Sequence, residues 1–101
     1  MKLPTTVAAL CLLAANSAVH AADPNLGRNL AATCANCHGT NGKAVQGAGI
    51  EALAGMEKSI TRQKLADYKS GAKPATIMHQ IAKGYTDEQL DLIATYFAAQ
   101  K

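Results

Sequence analysis

Cys34-Ala35-Asn36-Cys37-His38 is the stretch on which the reading of this chain turns. Its spacing, C-x-x-C-H, is the attachment signature of c-type haem. Each thiol of such a pair can form a thioether with one vinyl group of the macrocycle. The histidine that follows then offers an imidazole nitrogen to the iron. The motif predicts one covalently held haem c on Cys34 and Cys37, with His38 as proximal iron ligand. Two other readings fit less well. A thioredoxin-like redox pair needs a strand–helix setting, and nothing before Cys34 reads as a strand. A structural zinc site needs four ligands, and outside the motif the histidines and cysteines are only His20, His79 and Cys11.

The N-terminus supplies a context for the motif. Lys2 precedes an apolar run from Val7 to Ala15, and small residues lead to Val19-His20-Ala21. This is the pattern of a cleaved secretory signal peptide over residues 1–21, which leaves a single domain over 22–101. The run is shorter than the roughly 20 apolar residues of a transmembrane helix, so no membrane span is expected in the mature form. Haem c is attached outside the bacterial inner membrane, so export and motif point together to a periplasmic protein. Cys11 falls inside the expected signal. Both remaining cysteines are then committed to haem, and no structural disulfide is expected despite an oxidising compartment.

Charge discriminates little. The full sequence carries ten basic and seven acidic residues, a net +3, and loss of Lys2 with the signal lowers this to +2. No dense basic tract is present, and nucleic acid is not an expected partner. Lys58, Arg62, Lys64, Lys69, Lys73 and Lys83 are scattered; they either ring a haem edge and steer an acidic partner, or form a solvated surface. Aromatic volume is scarce, with no Trp, one Phe and three Tyr. A domain this small struggles to build its own core. A macrocycle would supply the missing volume, so the haem is expected to be structural as well as functional.

The predicted class is all-α. No run alternates with period two, and β-branched residues are sparse. A first helix is expected from about Asp23 or Asn25, with Leu26 and Leu30 on one face, ending at the haem motif. Gly39 to Gly49 reads as a glycine-broken loop, in which Gly42 is either a close approach or a plain turn. A helix from about Thr61 to Ser70 carries Leu65 and Tyr68 and is capped by Gly71. Pro74 is expected to open a short helix that ends at Gly84. The last helix has the clearest start: Thr86-Asp87-Glu88-Gln89 is a capping box. Leu90, Ile93, Ala94 and Phe97 then form an i, i+3, i+4, i+7 apolar stripe.

With these elements in place, the chain resembles the class I cytochromes c over its whole mature length. That resemblance implies N- and C-terminal helices crossing around one haem, with a glycine opposite an aromatic at the crossing; Gly27 against Tyr96 or Phe97 matches. A narrower resemblance rests on Cys37-His38-Gly39-Thr40-Asn41-Gly42, Tyr68-Lys69-Ser70-Gly71, Ala75-Thr76-Ile77-Met78 and Ile81-Ala82-Lys83-Gly84-Tyr85. These segments look like the haem subunit of flavocytochrome c sulfide dehydrogenase, in a monohaem form. This implies a flavoprotein subunit, or another redox protein, as partner.

The sixth iron ligand has three candidates: Met56, Met78 and His79. A thioether raises the potential and a second imidazole lowers it. The resemblance favours Met78, with Met56 as pocket wall and His79 at the surface or haem edge. Family members carry a loop proline whose carbonyl accepts from the proximal histidine. None stands in Gln46-Gly47-Ala48-Gly49-Ile50, so either a carbonyl of Gly47, Ala48 or Gly49 is expected to serve or the potential is expected to differ. Tyr68 and Tyr85 either reach a propionate or pack. The expected function is electron transfer without catalysis, as the haem subunit of a sulfide-oxidising flavoprotein or as a free diffusible shuttle. A haem enzyme or gas sensor would need a distal acid–base constellation, which the sequence does not offer.

Overall fold

The computed structural model describes residues 23–101. The expected signal peptide, with Cys11 and His20, lies outside the described residues. Five α-helices follow in order: α1 Leu26–Ala31, α2 Ala35–His38, α3 Lys58–Ser70, α4 Met78–Lys83 and α5 Asp87–Ala98. Tighter 3-10 turns span Ala32–Cys34 and Thr40–Gly42, and no strand occurs among the described residues.

The last helix forms as its sequence dictates. The Thr86 hydroxyl accepts from the Gln89 N–H at 3.1 Å, and the Gln89 amide oxygen accepts from the Thr86 N–H at 2.9 Å. Two helix-start donors are thereby satisfied, and Asp87 and Glu88 face the positive end of the helix dipole. Leu90, Ile93, Ala94 and Phe97 are all buried. With Ala31 they make most of the core, against which Leu30, Leu53, Leu65, Tyr85 and Tyr96 pack.

α1 crosses α5 at Gly27. A Cβ there would stand 3.0 Å from the Leu92 carbonyl oxygen and 3.6 Å from the Tyr96 Cβ, so only glycine lets the backbones meet this closely. The contact line runs through Gly27 and Ala31. That is why Leu30 packs inward while Leu26, expected on the same face, stays 41% exposed. α1 also does not stop at the motif: the 3-10 turn and α2 carry the coil through Cys34 and Cys37 to His38. Gly39, at φ 83°, then ends it.

Two other boundaries differ from expectation. α3 begins at Lys58 and not near Thr61, but ends as expected on left-handed Gly71. α4 begins at Met78, four residues after Pro74. The intervening Ala75, Thr76 and Ile77 run outside any helix, and all three line the central cavity together with Met78. A helix over the same residues would turn some of them away from that cavity. β-branched Thr76 and Ile77 also lower the helical preference of this stretch.

Gly42 is a close approach, not a plain turn. It is buried at φ 75°, and a Cβ would meet Phe97 Cδ1 at 2.8 Å and the Ala54 N at 2.9 Å. Its carbonyl accepts from the N–H groups of Leu53 and Ala54. Beside it, the Tyr96 hydroxyl donates to the Asn41 side-chain oxygen. The turn after the motif is thus pinned to α5. Polar pairs tie α3 to α5 on the outside: Asp91 meets Lys58 at 3.0 Å and Arg62 at 3.7 Å. Lys69 pairs with Asp87 at 3.2 Å and donates to the Tyr85 carbonyl at 2.7 Å. Lys73 sits 5.1 Å from the Tyr68 ring centre. With Lys64 bound to Glu51, five of the six scattered basic residues have intramolecular partners, which weakens the steering reading.

Candidate functional site

A cavity of about 870 Å³ lies between α1–α2, the loop before α3, α3 itself, α4 and α5. That is within the roughly 300–1,000 Å³ span of cofactor and ligand pockets. Cys34, Cys37, His38, Met56 and Met78 all line it. The motif therefore opens onto this cavity, because its helical path places successive side chains around a single turn.

Both thiols are free of disulfide. Cys34 is half-buried, and burial pushes its thiol above the ordinary cysteine value; a bond to Thr33 opposes this in part. His38 is oriented by its Nδ1, which lies 2.6 Å from the backbone oxygen of Glu51. A carbonyl can only accept, so Nδ1 carries the proton and donates. In the neutral ring this tautomer puts the lone pair on Nε2, the form in which imidazole binds a metal. The acceptor is two residues beyond the expected Gly47–Gly49 stretch. Gly47 and Gly49 both adopt positive φ, with no atom within 4 Å of a Cβ built on either, so this bend stays out in the open. The chain reaches the ring only at Glu51.

Of the three sixth-ligand candidates, Met56 and Met78 line the cavity and His79 does not. His79 keeps a buried Nδ1 without a hydrogen-bond partner, away from the site. Tyr68 and Tyr85 both line the cavity. The Tyr85 hydroxyl is engaged at 2.7 Å with Thr33, which ties the turn before α5 to the residue next to Cys34.

Sequence reasoning missed Glu51, Thr61 and the pairing of Thr33 with Tyr85. None has a local signature; each depends on segments brought together by the fold. Thr61 is only 4% exposed, lines the cavity, and its hydroxyl finds no partner among the described residues. An unsatisfied buried hydroxyl costs about 1–3 kcal/mol. Two thiols, a tautomer-fixed imidazole and two thioethers around an apolar volume suit a haem.

These features define a small helical haem-carrying electron-transfer protein. Residues 25–101 match the family model described as cytochrome c. The chain belongs to the cytochrome c family, as a class I member with haem c as cofactor and no catalytic chemistry of its own. It is 38% identical over 84 residues to the cytochrome subunit of sulfide dehydrogenase of Chlorobaculum tepidum, covering 83% of this chain and 74% of that protein. Against the thiosulfate dehydrogenase electron acceptor of Stutzerimonas stutzeri it is 39% identical over 74 residues, 72% of this chain and 34% of the relative. Cytochrome c4 of Pseudomonas aeruginosa is 32% identical over 96 residues, 94% of this chain and 47% of that protein. The chain thus spans less than half the length of the latter two relatives. No helix among the described residues is long and apolar enough to cross a membrane.

Proposed function

We propose that this chain is exported to the periplasm and carries one haem on Cys34 and Cys37, whose iron His38 Nε2 and Met78 Sδ would hold. It accepts electrons one at a time from a flavoprotein that oxidises a reduced sulfur compound and passes them to a further carrier. The supporting observation is the bond from His38 Nδ1 to the Glu51 carbonyl. It fixes the tautomer a metal-binding histidine needs, inside a cavity that Met78 shares. Haem bound there supplies a one-electron ferric–ferrous couple, with a potential raised by a thioether ligand. The remaining work belongs to the chain: the two cysteines hold the group, Glu51 orients the imidazole, and Ile93 and Phe97 help exclude water from the cavity. The similarity to a cytochrome subunit of sulfide dehydrogenase and to a thiosulfate dehydrogenase electron acceptor supports a sulfur-oxidising donor, and its flavin is what the resemblance to flavocytochrome c sulfide dehydrogenase implies.

Ligation is tested on the ferric holoprotein by the sulfur-to-iron charge-transfer band at the red edge of the visible spectrum. The band should be present, vanish in Met78→Ala and survive in Met56→Ala. Survival in Met78→Ala would defeat the assignment. Export is checked by the N-terminus of the mature protein, expected just after Ala21 or Ala22. Co-purification with a flavin-containing subunit supports the sulfide-type donor; a lone monomer would favour the diffusible shuttle.

A further inference from the structure

The Glu51 carbonyl that holds His38 has a support of its own. Lys64, on α3, reaches the Glu51 carboxylate at 2.5 Å. The same residue thus accepts from His38 through its backbone oxygen and from Lys64 through its side chain. Little else holds it. Glu51 lies outside any helix, in a stretch that follows the uncrowded Gly47 and Gly49. Among the described residues, the backbone groups of residues 49–52 make no hydrogen bond to other backbone. Regular backbone bonding resumes at Leu53, which donates to Gly42. The direction of this one carbonyl is therefore not dictated by secondary structure. The side chain of the same residue is tied to Lys64, on a helix of 13 residues.

We propose that Lys64 is a positioning residue for the iron ligand, acting through Glu51 to hold the orienting carbonyl against His38 Nδ1. The inference rests on His38 being the proximal ligand, as proposed above. A hydrogen bond to the far nitrogen raises the basicity of a metal-bound imidazole. A more basic ligand favours the ferric state. Loosening the tie therefore weakens the donor and raises the midpoint potential.

Charge alone makes a different prediction. Removing a cation near the iron lowers the potential, and removing an anion raises it. Lys64→Met separates the two accounts, because the tie predicts an upward shift and charge a downward one. Glu51→Ala keeps the backbone carbonyl and should also shift upward. Under the tie, the Glu51→Ala/Lys64→Met double variant should shift less than the sum of the singles, since the second change removes an interaction already lost.

The experiment is spectroelectrochemical titration of the mature holoprotein and its variants, with the hyperfine-shifted His38 ring resonances followed by NMR in the ferric state. The expected result is a raised potential in both single variants and displaced His38 resonances. If Lys64→Met fails to mature, Lys64→Gln is read the same way. A fall or no change in potential at position 64, with His38 resonances intact and unmoved, overturns the positioning role. Absence of His38 ligand resonances in the unaltered protein would instead overturn the ligand assignment beneath it.

Discussion

Gly42→Ala is a stringent test of how the turn after the haem motif is held. Two independent costs can be read at this position. The backbone sits at φ 75°, and a left-handed conformation costs a non-glycine residue about 1–2 kcal/mol. The added Cβ also arrives 2.8 Å from Phe97 Cδ1 and 2.9 Å from the Ala54 N. Phe97 is 1% exposed and has no room to withdraw. Overpacking of this kind adds about 1–3 kcal/mol, and the stiffer unfolded chain returns about 0.4–1 kcal/mol. The net loss is about 2–4 kcal/mol. Gly47→Ala is the matched control: its φ is 83°, but nothing lies within 4 Å of the new Cβ. It should lose only about 1 kcal/mol. The assay is chemical unfolding of the holoprotein followed by far-ultraviolet circular dichroism. Adding Phe97→Val, which has no δ-carbon, should recover about 1 kcal/mol of the Gly42→Ala loss relative to additivity, because one of the two clashes is relieved. Equal losses at positions 42 and 47, or strict additivity with Phe97→Val, would refute the close approach.

Two further outcomes are expected. Protein produced without haem attachment should lack a cooperative unfolding transition by circular dichroism, since among the described residues only Phe97 and Leu90 of the large side chains are fully buried; a cooperative apo form would contradict this. Thr86→Ala removes the hydroxyl that accepts from the Gln89 N–H and should cost about 1 kcal/mol in the same unfolding assay, with the midpoint potential unchanged.

Legibility followed locality. The start and buried face of α5 were readable because a capping box and a helical stripe are written within twelve consecutive residues. Gly71 was readable for the same reason. The tight α1–α5 crossing at Gly27 came from resemblance, and no local pattern distinguishes it from any helix-weakening glycine. The start of α4 was misplaced because Pro74 suits both a first helical turn and an extended run. What decided between them was the cavity wall that Ala75 to Ile77 must cover. The acceptor for His38 was misplaced for a similar reason: a carbonyl is present at every residue of the loop, and only the folded path selects Glu51. Lys64 read as one scattered cation among six until α3 brought it to that loop.

Stability and site share residues in this domain, and that constrains both. Ile93 and Phe97 belong to the buried core and also line the cavity. The same face of α5 that receives α1 therefore forms part of the cofactor pocket. Filling the pocket removes apolar surface from water on side chains that already hold the crossing together, at about 25 cal/mol per Å². A group that binds only the folded state stabilises it by mass action. A group attached through two thioethers cannot leave, so the stabilisation no longer depends on its free concentration. This explains how so small a core suffices, and why covalent attachment suits a chain that must keep its cofactor through repeated redox cycles. It also follows that substitutions facing the cavity from α5 will move folding and potential together. Changes at Lys64, which lines the cavity but lies outside the buried core, should instead leave the fold in place and move the potential, through the tie to Glu51 or through charge, with the sign of the shift telling the two apart.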